Sequence, residues 1–321
     1  MGHDLVGLGE VMLRLAAPPP QRLDQAVSLD VQIGGSEANV MAAVSRMGLR
    51  TAFISALPSD HAWGDRTVRE LSGHGVDCAG ILRRPASRMG LYFLEYGAPP
   101  RPVRVLYDRR DSAMSQLVPD EVDWSLVRGA RMMHLSGITA ALGENLRAVL
   151  RRASAEAQAA NVPVSFDVNY RSRLWSAKEA RDSLTEILPG VRYLFIGSDD
   201  AETVFDLSGA PERALEGLAR LAPAATIALT LGEAGSAVLE ADAVRRPSRL
   251  FSVTTVDRVG AGDAYAAGFL WRVLQGRSVQ EAVDTATALA ALKCTIWGDI
   301  ALVRPLEVEE LMASTHSEIR R

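Results

Sequence analysis

Gly260-Ala261-Gly262-Asp263 lies between a β-branched run, Val253 to Val259, and an apolar helical pattern, Ala264 to Leu274. This order predicts a strand, a tight turn and the start of a helix. The first backbone amides of a helix have no intrahelical partner, and the helix dipole favours negative charge there. A carboxylate at this place is suited to orient or deprotonate a hydroxyl that attacks a phosphate held by the amides. The pattern therefore favours phosphoryl transfer.

Two other interpretations of this motif are possible. A Gly-x-Gly before a helix is also typical of a plain tight turn. A dinucleotide-binding fingerprint, which would indicate an oxidoreductase, needs a third small residue where Tyr265 stands. That fingerprint also normally belongs to the first strand–helix unit of a chain. The late position of the motif and Tyr265 both weaken this interpretation.

Composition narrows the function classes. The chain has 321 residues, of which 48% are hydrophobic and 23% charged, with a net charge of −4. These values are ordinary for a globular enzyme. The chain has no excess of positive charge that would indicate binding to nucleic acid or to a membrane surface. The only lysines are Lys178 and Lys293, and neither follows a glycine. A Walker phosphate loop, which needs Gly-Lys-Ser/Thr, is therefore excluded.

Cysteine and histidine usage indicates a reduced chain without a zinc site. Cys78 and Cys294 are far apart, neither has a metal-ligand spacing, and the five histidines form no His-Glu-x-x-His pair. We expect no leader segment, because Asp4 to Gly9 is typical of a first core strand. No apolar run reaches the ~18 residues that a membrane span needs. These features predict a cytoplasmic protein without a membrane partner.

Strand-like and helical segments alternate through most of the chain. This alternation predicts an α/β fold: a doubly wound, mostly parallel sheet with helices on both faces. The predicted strands are Thr51 to Leu57, Met132 to Leu135, Val162 to Val168, Tyr193 to Ile196 and Ala225 to Leu231, and the clearest helices are Glu144 to Ala160 and Ala177 to Leu188.

Two regions carry strand-like runs without intervening helices. Met89 to Tyr96 and Val103 to Tyr107 are expected to pair as a hairpin around Pro99-Pro100. We interpret residues of about 13–33 and 88–110 as a small β-sheet lid on a single domain of residues 1–321. The alternative is that these segments extend the edge of the central sheet.

Gly34-Gly35-x-x-x-Asn39 precedes an early helical pattern. The glycines permit close approach of a ligand, Ser36 is a candidate N-cap, and Asn39 can offer a donor and an acceptor to a hydroxylated ligand. A plain capped helix start is the alternative. Together with the motif that ends at Asp263, however, this motif resembles the two signatures of the PfkB, or ribokinase-like, carbohydrate kinases. The resemblance covers essentially the whole chain.

This resemblance implies a ribokinase-like fold with a β-sheet lid over the sugar, and the use of ATP and magnesium. By resemblance, Asp263 is the catalytic base for the sugar hydroxyl. The amides of Gly260, Ala261 and Gly262 form the anion hole for the transferring phosphoryl group, and Gly260 and Gly262 also contact the nucleotide.

A second region is similar to the nucleotide-binding turn of the family. Thr230, Gly232 and Gly235 follow an apolar strand, in a segment that also fits a simple hairpin into Ser236 to Leu239. One departure concerns magnesium. Where the family often has Asn-x-x-Glu, this chain has Gly197-Ser198-Asp199-Asp200, so Asp200 stands in place of the glutamate. By resemblance Asp200 is a magnesium residue acting through water.

Arginines bear on the choice of sugar. The fork of a guanidinium matches a carboxylate, as an acid sugar requires, whereas most arginines in so arginine-rich a chain are solvated surface residues. Arg109 and Arg171 are exceptions, because both lie in segments similar to those of 2-keto-3-deoxygluconate kinases. In that subfamily the substrate is surrounded by the counterparts of Gly34, Tyr92, Tyr107, Arg109, Arg171 and Asp263, and Asn169 and Arg171 lie near the nucleotide phosphates. Asp299, in a Gly-Asp pair of the same subfamily, can touch the substrate, as can Gly35 and Asn39.

The sequence therefore predicts an ATP-dependent kinase that converts 2-keto-3-deoxygluconate to its 6-phosphate. A kinase for a neutral sugar, like a fructokinase or ribokinase, is the alternative, and a sugar-sensing protein without phosphoryl transfer is a further one. Apolar residues of the lid (Leu91, Phe93, Leu106) favour a homo-oligomer. The sequence leaves open the gluconate or galactonate epimer and the need for a monovalent cation.

Overall fold

A computed structural model of the chain describes residues 2–97 and 100–314. Strands and helices alternate through most of this length. The strands are β1 (Leu5–Leu8), β2 (Met12–Ala16), β3 (Asp30–Gly34), β4 (Thr51–Pro58), β5 (Val76–Asp77), β6 (Ile81–Arg84), β7 (Leu91–Glu95), β8 (Arg104–Asp108), β9 (Met133–Ser136), β10 (Val164–Asp167), β11 (Val191–Gly197), β12 (Thr226–Thr230), β13 (Ser236–Glu240) and β14 (Ala243–Arg245). The helices are α1 (Ser36–Arg46), α2 (Ala62–Gly73), α3 (Ser125–Arg128), α4 (Gly137–Ala140), α5 (Glu144–Ala159), α6 (Ala177–Thr185), α7 (Ser198–Phe205), α8 (Pro211–Leu221), α9 (Ala261–Leu274), α10 (Val279–Cys294) and α11 (Pro305–Ala313).

The main sheet is mostly parallel, as the alternation predicts. Its strand order is β14-β13-β12-β11-β10-β9-β1-β4-β5, and β6 also pairs with β4. The pairs from β12 through β5 run parallel, whereas β13 and β14 form an antiparallel edge. The chain moves outward in opposite directions from β1 and β9. In open α/β sheets, ligands bind beyond the carboxyl ends of the strands at such a reversal point.

Helices cover both faces of this sheet. In β1, Leu5 packs in one apolar cluster with residues of α1, α9 and α10, whereas Val6 and Leu8 pack in the other with residues of α5 to α8. Successive side chains of a strand point to opposite faces, so a strand buried on both faces reads as a continuous apolar run. In the described ranges, no helix combines the length and the apolar character that a membrane crossing demands.

A second, separate sheet has the order β3-β2-β7-β8. Its β7–β8 pair is antiparallel, which confirms the predicted hairpin, and the alternative of an extended central sheet is wrong. In the register of this sheet Arg14 lies opposite Tyr92, and Tyr92 lies opposite Tyr107. These three side chains share the face that looks toward the main sheet. The other face carries an apolar row.

One predicted strand is absent. The segment Val253 to Val259 has no strand hydrogen bonding, although its β-branched residues favour a strand. The amides of Val256 and Asp257 both donate to the Cys294 carbonyl oxygen, at 2.8 and 3.1 Å, at the end of α10. The segment therefore runs along a helix terminus instead of a neighbouring strand. The strand propensity of these residues is outweighed by hydrogen bonding to the end of α10, which the local sequence does not reveal.

Candidate active site

A pocket of about 1050 Å³ lies between the small sheet and the carboxyl ends of the main strands. Its floor includes Asp167 and Thr230, the last residues of β10 and β12. Its opposite wall includes Tyr92 and Tyr107 from the small sheet. This position is where a doubly wound fold places its ligands.

The pocket brings together most of the residues predicted from the sequence. Those that line it are Gly35, Asn39, Tyr92, Tyr107, Arg109, Asn169, Arg171, Asp200, Thr230, Gly260, Ala261, Gly262, Asp263 and Asp299. Gly34, Gly232 and Gly235 are not among the described residues that line it. Gly232 and Gly235 instead shape the turn between β12 and β13, where both have positive φ angles of 60° and 85°. The antiparallel pairing of β12 with β13 confirms the hairpin predicted there.

The turn before α9 is built around Gly260. Gly260 has φ 84° and is the N-cap of α9. A Cβ atom at this position would stand 2.0 Å from the carbonyl oxygen of Asp299. Only glycine tolerates both the left-handed backbone and this close approach. The turn therefore packs backbone against backbone, and it places the first turn of α9 at the pocket.

The backbone amides of this turn differ in availability. Among the described residues, the amides of Gly260 and Gly262 have no hydrogen-bond partner. The amide of Ala261 departs from the expectation, because it donates to the carbonyl oxygen of Arg258 at 3.2 Å. Gly260 and Gly262 can therefore receive an anion directly, whereas Ala261 must first give up a long bond within its own turn.

Asp263 points into the pocket from the first turn of α9 and is 9% exposed. Its two carboxylate oxygens accept hydrogen bonds from Ser36 Oγ and Asn39 Nδ2, both at 2.7 Å. Burial raises the pKa of the Asp263 carboxyl, and the two hydrogen bonds oppose that shift. An ionised carboxylate only accepts hydrogen bonds, so both donors favour the form that can take up a proton.

The expected N-cap role of Ser36 is wrong. Helix α1 begins at Ser36, its N-cap is Gly35, and no side chain caps it. The Ser36 hydroxyl donates to Asp263 and accepts a hydrogen bond from Asn169 Nδ2 at 2.8 Å. The sequence does not show that α9 lies against the start of α1, so it suggests only a local role for the serine. Gly35 itself packs against the chain before β2, because a Cβ there would stand 2.1 Å from the Glu10 carbonyl oxygen.

Asp167 is a site residue that sequence reasoning missed. It ends β10, lines the pocket and is 9% exposed. The pKa of its carboxyl lies well above the usual range, because it is buried and because Asp263 and Asp200 repel its charge. Its one hydrogen-bond partner among the described residues is Asn169 Nδ2, at 3.4 Å. A carboxylate at the carboxyl end of a buried strand was the signal that could have identified it.

Asp200 and Arg171 complete this side of the pocket. Asp200 accepts a hydrogen bond from the Tyr170 amide at 3.0 Å, and burial raises the pKa of its carboxyl. Arg171 donates to the Tyr170 carbonyl oxygen and has no ion pair within residues 2–97 and 100–314. Its positive charge lowers the pKa of Asp167 and Asp263. Arg171 is therefore available to an anionic ligand, as are Arg173 and Arg258, which also line the pocket and have no ion pair in the described ranges.

The pocket has oxygen ligands of the kind that Mg²⁺ prefers. Asp167 and Asp200 are hard oxygen donors, and each has one hydrogen-bond donor among the described residues. No group of three or more acidic, histidine or cysteine side chains in the described ranges is arranged to hold a metal ion. Mg²⁺ is commonly bound by one or two carboxylates together with water and substrate phosphates. The residues therefore fit a shared ion and do not form a dedicated metal cage.

Arg109 lines the same pocket and is 6% exposed. Its Nε donates to Glu10 Oε2 at 2.7 Å, and its Nη2 lies 2.5 Å from the same oxygen. Its guanidinium carbon also stands 5.6 Å from the centre of the Tyr107 ring. The prediction that Arg109 is not a solvated surface residue is confirmed. Sequence reasoning missed Glu10, which holds one edge of the guanidinium and leaves Nη1 for another partner.

Asp299 is held between the two sheets. Tyr92 Oη and Arg14 Nη1 donate to it, each at 2.5 Å, and the Arg14 side chain is fully buried. Arg14 Nη2 also donates to Asp257 Oδ2 at 2.5 Å. A Cβ at Gly34 would stand 2.3 Å from Tyr92 Oη and 2.5 Å from Asp299 Oδ2, so this glycine admits the contact. Arg14 lies in no recognisable motif, and sequence reasoning missed it.

Comparison with known proteins defines the class. The pfkB family carbohydrate kinase pattern matches residues 3–304. The chain therefore belongs to the pfkB family of carbohydrate kinases. It is a kinase of the α/β class with a separate small sheet, as the sequence predicts.

Individual relatives are similar over essentially their full length. The 2-dehydro-3-deoxygalactonokinase of Haloferax volcanii is 38% identical over 322 residues, covering 100% of both chains. A crystal structure of 2-dehydro-3-deoxygluconokinase from Thermotoga maritima superposes with a TM-score of 0.92 at 35% identity, covering 98% of this chain and 99% of that one. A candidate ribokinase II from E. coli, solved with ATP and Mg²⁺, shares the fold with a TM-score of 0.88 at 23% identity, covering 97% and 99%.

Proposed function

We propose that this kinase transfers the terminal phosphoryl group of ATP to the 6-hydroxyl of 2-keto-3-deoxygluconate. The observation that carries the proposal is one pocket that holds a candidate base, free backbone amides and arginines. Asp263, the unpartnered amides of Gly260 and Gly262, Arg109 and Arg171 all line it. A sugar acid fits this arrangement, because it brings a terminal hydroxyl for Asp263 and a carboxylate for the arginines. The names of two similar proteins support a keto-deoxy sugar acid.

Asp263 is proposed to act as the general base. Its carboxylate takes the proton of the 6-hydroxyl while that oxygen forms a bond to the terminal phosphorus of ATP. The bond between this phosphorus and the bridging oxygen breaks, and ADP leaves with the electron pair. The amides of Gly260 and Gly262 stabilise the negative charge on the transferring group, as preorganised donors do in a water-poor site.

Magnesium is proposed to be held by Asp200 through water, with Asp167 as a further carboxylate. When bound, the ion would neutralise charge on the nucleotide phosphates. Asn169 and Arg171 are placed to contact phosphate, since Arg171 has no ion pair in the described chain and Asn169 sits beside Ser36. Thr230, Gly232 and Gly235 are proposed to form the turn that faces the nucleotide.

The acid end of the sugar is proposed to meet Arg109 and Arg171, with Tyr92, Tyr107 and Asp299 along the chain of hydroxyls. Gly34, Gly35 and Asn39 would position the hydroxylated chain for Asp263. The gluconate and galactonate acids differ in the configuration at one carbon. The galactonate form is a second candidate because the relative with 38% identity bears that name.

A substrate panel tests the proposal. Steady-state ADP release should be measured with both keto-deoxy acids, fructose and ribose, in the presence of ATP and Mg²⁺. We expect kcat/KM for a keto-deoxy acid to exceed kcat/KM for the neutral sugars by at least about a hundredfold. A well-placed charged contact gives discrimination of this order. Higher kcat/KM for fructose or ribose would support the neutral-sugar alternative. No ADP release with any sugar would support a sensor.

Arginine variants test carboxylate recognition separately. Arg109→Ala and Arg171→Ala should raise KM for the acid sugar far more than for a neutral one. Arg110→Ala is the matched control, because Arg110 is exposed, neighbours Arg109 and does not line the pocket. Equal losses toward acid and neutral sugars in both variants would contradict this role.

We also propose that residues 1–321 act as one kinase domain in the cytoplasm, with a lid of about residues 13–33 and 88–110. Both cysteines are unpaired, as a reducing compartment favours. The lid is proposed to pair with a second copy of the chain. Its outer face carries an apolar row across four strands, in which Leu15 lies opposite Val31 and Phe93, and Phe93 lies opposite Leu106.

Sedimentation velocity tests this pairing. Leu106 is 40% exposed and lies in the row, so Leu106→Glu should shift the protein toward monomer. Val244 is also 40% exposed but lies on β14 at the far edge of the main sheet, so Val244→Glu serves as control. A wild-type protein that sediments as a monomer at micromolar concentration would contradict the proposed dimer.

A further inference from the structure

Lys293 is a buried charged side chain that the proposed reaction does not use. It lies in the last turn of α10 and is 0% exposed. Lysine is almost never fully buried unless its ammonium has partners, because taking a charge out of water is costly. Lys293 Nζ donates to the carbonyl oxygens of Asp257 at 2.9 Å and Ile296 at 3.2 Å. Backbone oxygens, not a carboxylate, are therefore its direct partners.

The charges around this ammonium balance. The Asp257 and Asp299 carboxylates attract it, and the Arg14 guanidinium, which pairs with both carboxylates, repels it. Burial lowers the pKa of Lys293, and the two carboxylates oppose that shift. Two buried cations thus face two buried carboxylates behind the turn that leads to Gly260. Removing one cation would leave a net negative charge in this region.

The ammonium joins two backbone segments that have no strand pairing with each other. Asp257 Oδ2 accepts a hydrogen bond from the Gly298 amide at 3.1 Å, and Asp257 Oδ1 accepts one from the Val259 amide at 3.0 Å. Lys293 adds the bonds to one carbonyl oxygen on each segment. Gly260 follows directly, with its backbone against Asp299. The position of the Gly260 amide therefore depends on how firmly these segments are held together.

We infer that Lys293 is a positioning residue for phosphoryl transfer. Its ammonium fixes the backbone that carries the Gly260 and Gly262 amides, although Lys293 is not among the described residues that line the pocket. This inference rests on the proposed anion-hole role of those amides. A displaced amide loses most in the transition state, where charge develops on the transferring group. Loss of Lys293 should consequently lower kcat much more than it raises KM.

The experiment compares the two lysines of the chain. Lys293→Met keeps the length and the apolar stem of the side chain and removes the charge. We expect kcat to fall by roughly tenfold to a hundredfold, less than the ~10²–10³ that loss of a direct oxyanion donor costs. Lys178→Met is the matched control, because Lys178 is exposed on α6 and pairs only with Asp182 among the described residues. Its kcat should equal that of the wild type.

A second variant keeps the inference testable if Lys293→Met folds poorly. Lys293→Ala leaves a space that a small alkylammonium ion such as propylammonium can enter. Added propylammonium should restore turnover in a saturable manner in Lys293→Ala and have no effect on Lys178→Ala. A merely structural role would lower the unfolding midpoint without such rescue, and that result would overturn the inference. A wild-type kcat in Lys293→Met would overturn it equally.

Selective ¹⁵N-lysine labelling gives a direct readout, since the chain contains only Lys178 and Lys293. An unreactive ATP analogue with Mg²⁺ should shift the Lys293 side-chain signal and leave Lys178 unchanged. All rates are measured with whichever sugar the wild type accepts, so an error in the sugar assignment does not affect this comparison. A wild type inert toward every sugar would instead contradict the proposed function.

Discussion

The surroundings of the Asp263 carboxyl group bear on its proposed role in proton transfer. It is nearly buried, which disfavours its charge, yet both oxygens accept hydrogen bonds from Ser36 and Asn39. Burial and hydrogen bonding act in opposite directions on its pKa. The outcome is a carboxyl group with a raised pKa whose orientation is set by two neutral donors on α1.

Replacing Asp263 tests this role. Asp263→Asn keeps the shape of the side chain and removes the proton acceptor, so kcat should fall by about 10²–10⁴-fold, as is typical when a general base is lost. Sugar binding, measured by isothermal titration calorimetry, should change much less. Near-normal turnover in the variant would exclude Asp263 as the base.

The raised pKa of Asp263 also predicts a pH dependence. A general base works only when it is deprotonated, so kcat/KM should fall on the acid side, at a pH above the ordinary aspartate value. The Arg171 cation lowers the pKa of Asp263. Arg171→Gln should therefore move the acid limb of the kcat/KM profile to higher pH. A limb that stays in place or moves to lower pH would contradict this coupling.

Some residues of the site could be predicted from the sequence and others could not. Asp263 and Arg109 were predicted because they lie in recognisable motifs. Glu10 and Arg14 lie in no motif, and their partners are 99 and 285 positions away in the chain. An isolated charged residue in an apolar segment gives no local sign of its partner. Tertiary packing alone decides whether such a residue is buried.

Among the secondary-structure elements, the start of α9 depends more on Gly260 than on Gly262. Gly260 needs a positive φ and a close backbone contact, whereas a Cβ at Gly262 would have no atom within 4 Å. Both glycines line the pocket. The fold therefore requires glycine at position 260, whereas it does not require glycine at position 262.

Alanine substitutions separate these two reasons. Gly260→Ala should lower the free energy of unfolding by about 1–3 kcal/mol or more, because the left-handed backbone and the contact with Asp299 both oppose a side chain. Gly262→Ala should leave it unchanged or raise it by up to about 1 kcal/mol, since alanine favours a helix over glycine. Urea denaturation measures both. Equal stability of the two variants would contradict this account of the turn.

Element prediction from the sequence succeeded where the periodic pattern was long. The alternation of strands and helices gave the main sheet, and the hairpin of β7 and β8 followed from its two apolar runs. The segment from Val253 to Val259 failed, because its amides bind Cys294 at a helix end instead of a strand. Ser36 failed for the same kind of reason, since its partner lies on α9.

At the scale of the whole molecule, Arg14 fastens the small sheet to the main body. It is a residue of β2, yet its guanidinium pairs with Asp257 and Asp299 near the anion-hole turn. Its Nη2 also donates to Tyr96 Oη at the end of β7. The small sheet is thus attached at its centre by buried charges. If the small sheet acts as the proposed lid, its movement must occur away from β2.

Breaking this attachment should be costly. Arg14→Met leaves two buried carboxylates without the guanidinium that pairs with both, so the free energy of unfolding should fall by about 3–5 kcal/mol. Arg22→Met is the matched control, because Arg22 is exposed and pairs with exposed Asp24, and its effect should stay within about 0.5 kcal/mol. Guanidinium chloride titrations compare the two. A loss below about 1 kcal/mol in Arg14→Met would show that the attachment is dispensable.

The ion pair between Arg14 and Asp299 also orders events during synthesis. Its two residues are separated by 285 positions, so Arg14 leaves the ribosome long before its partner exists. Closing so long a loop is slow, and domains complete their packing only when the necessary segments are present. A nascent chain that has not yet reached Asp257 holds this arginine without either of its carboxylate partners. The pocket that Asp299 lines is accordingly among the last parts of the newborn polypeptide to mature.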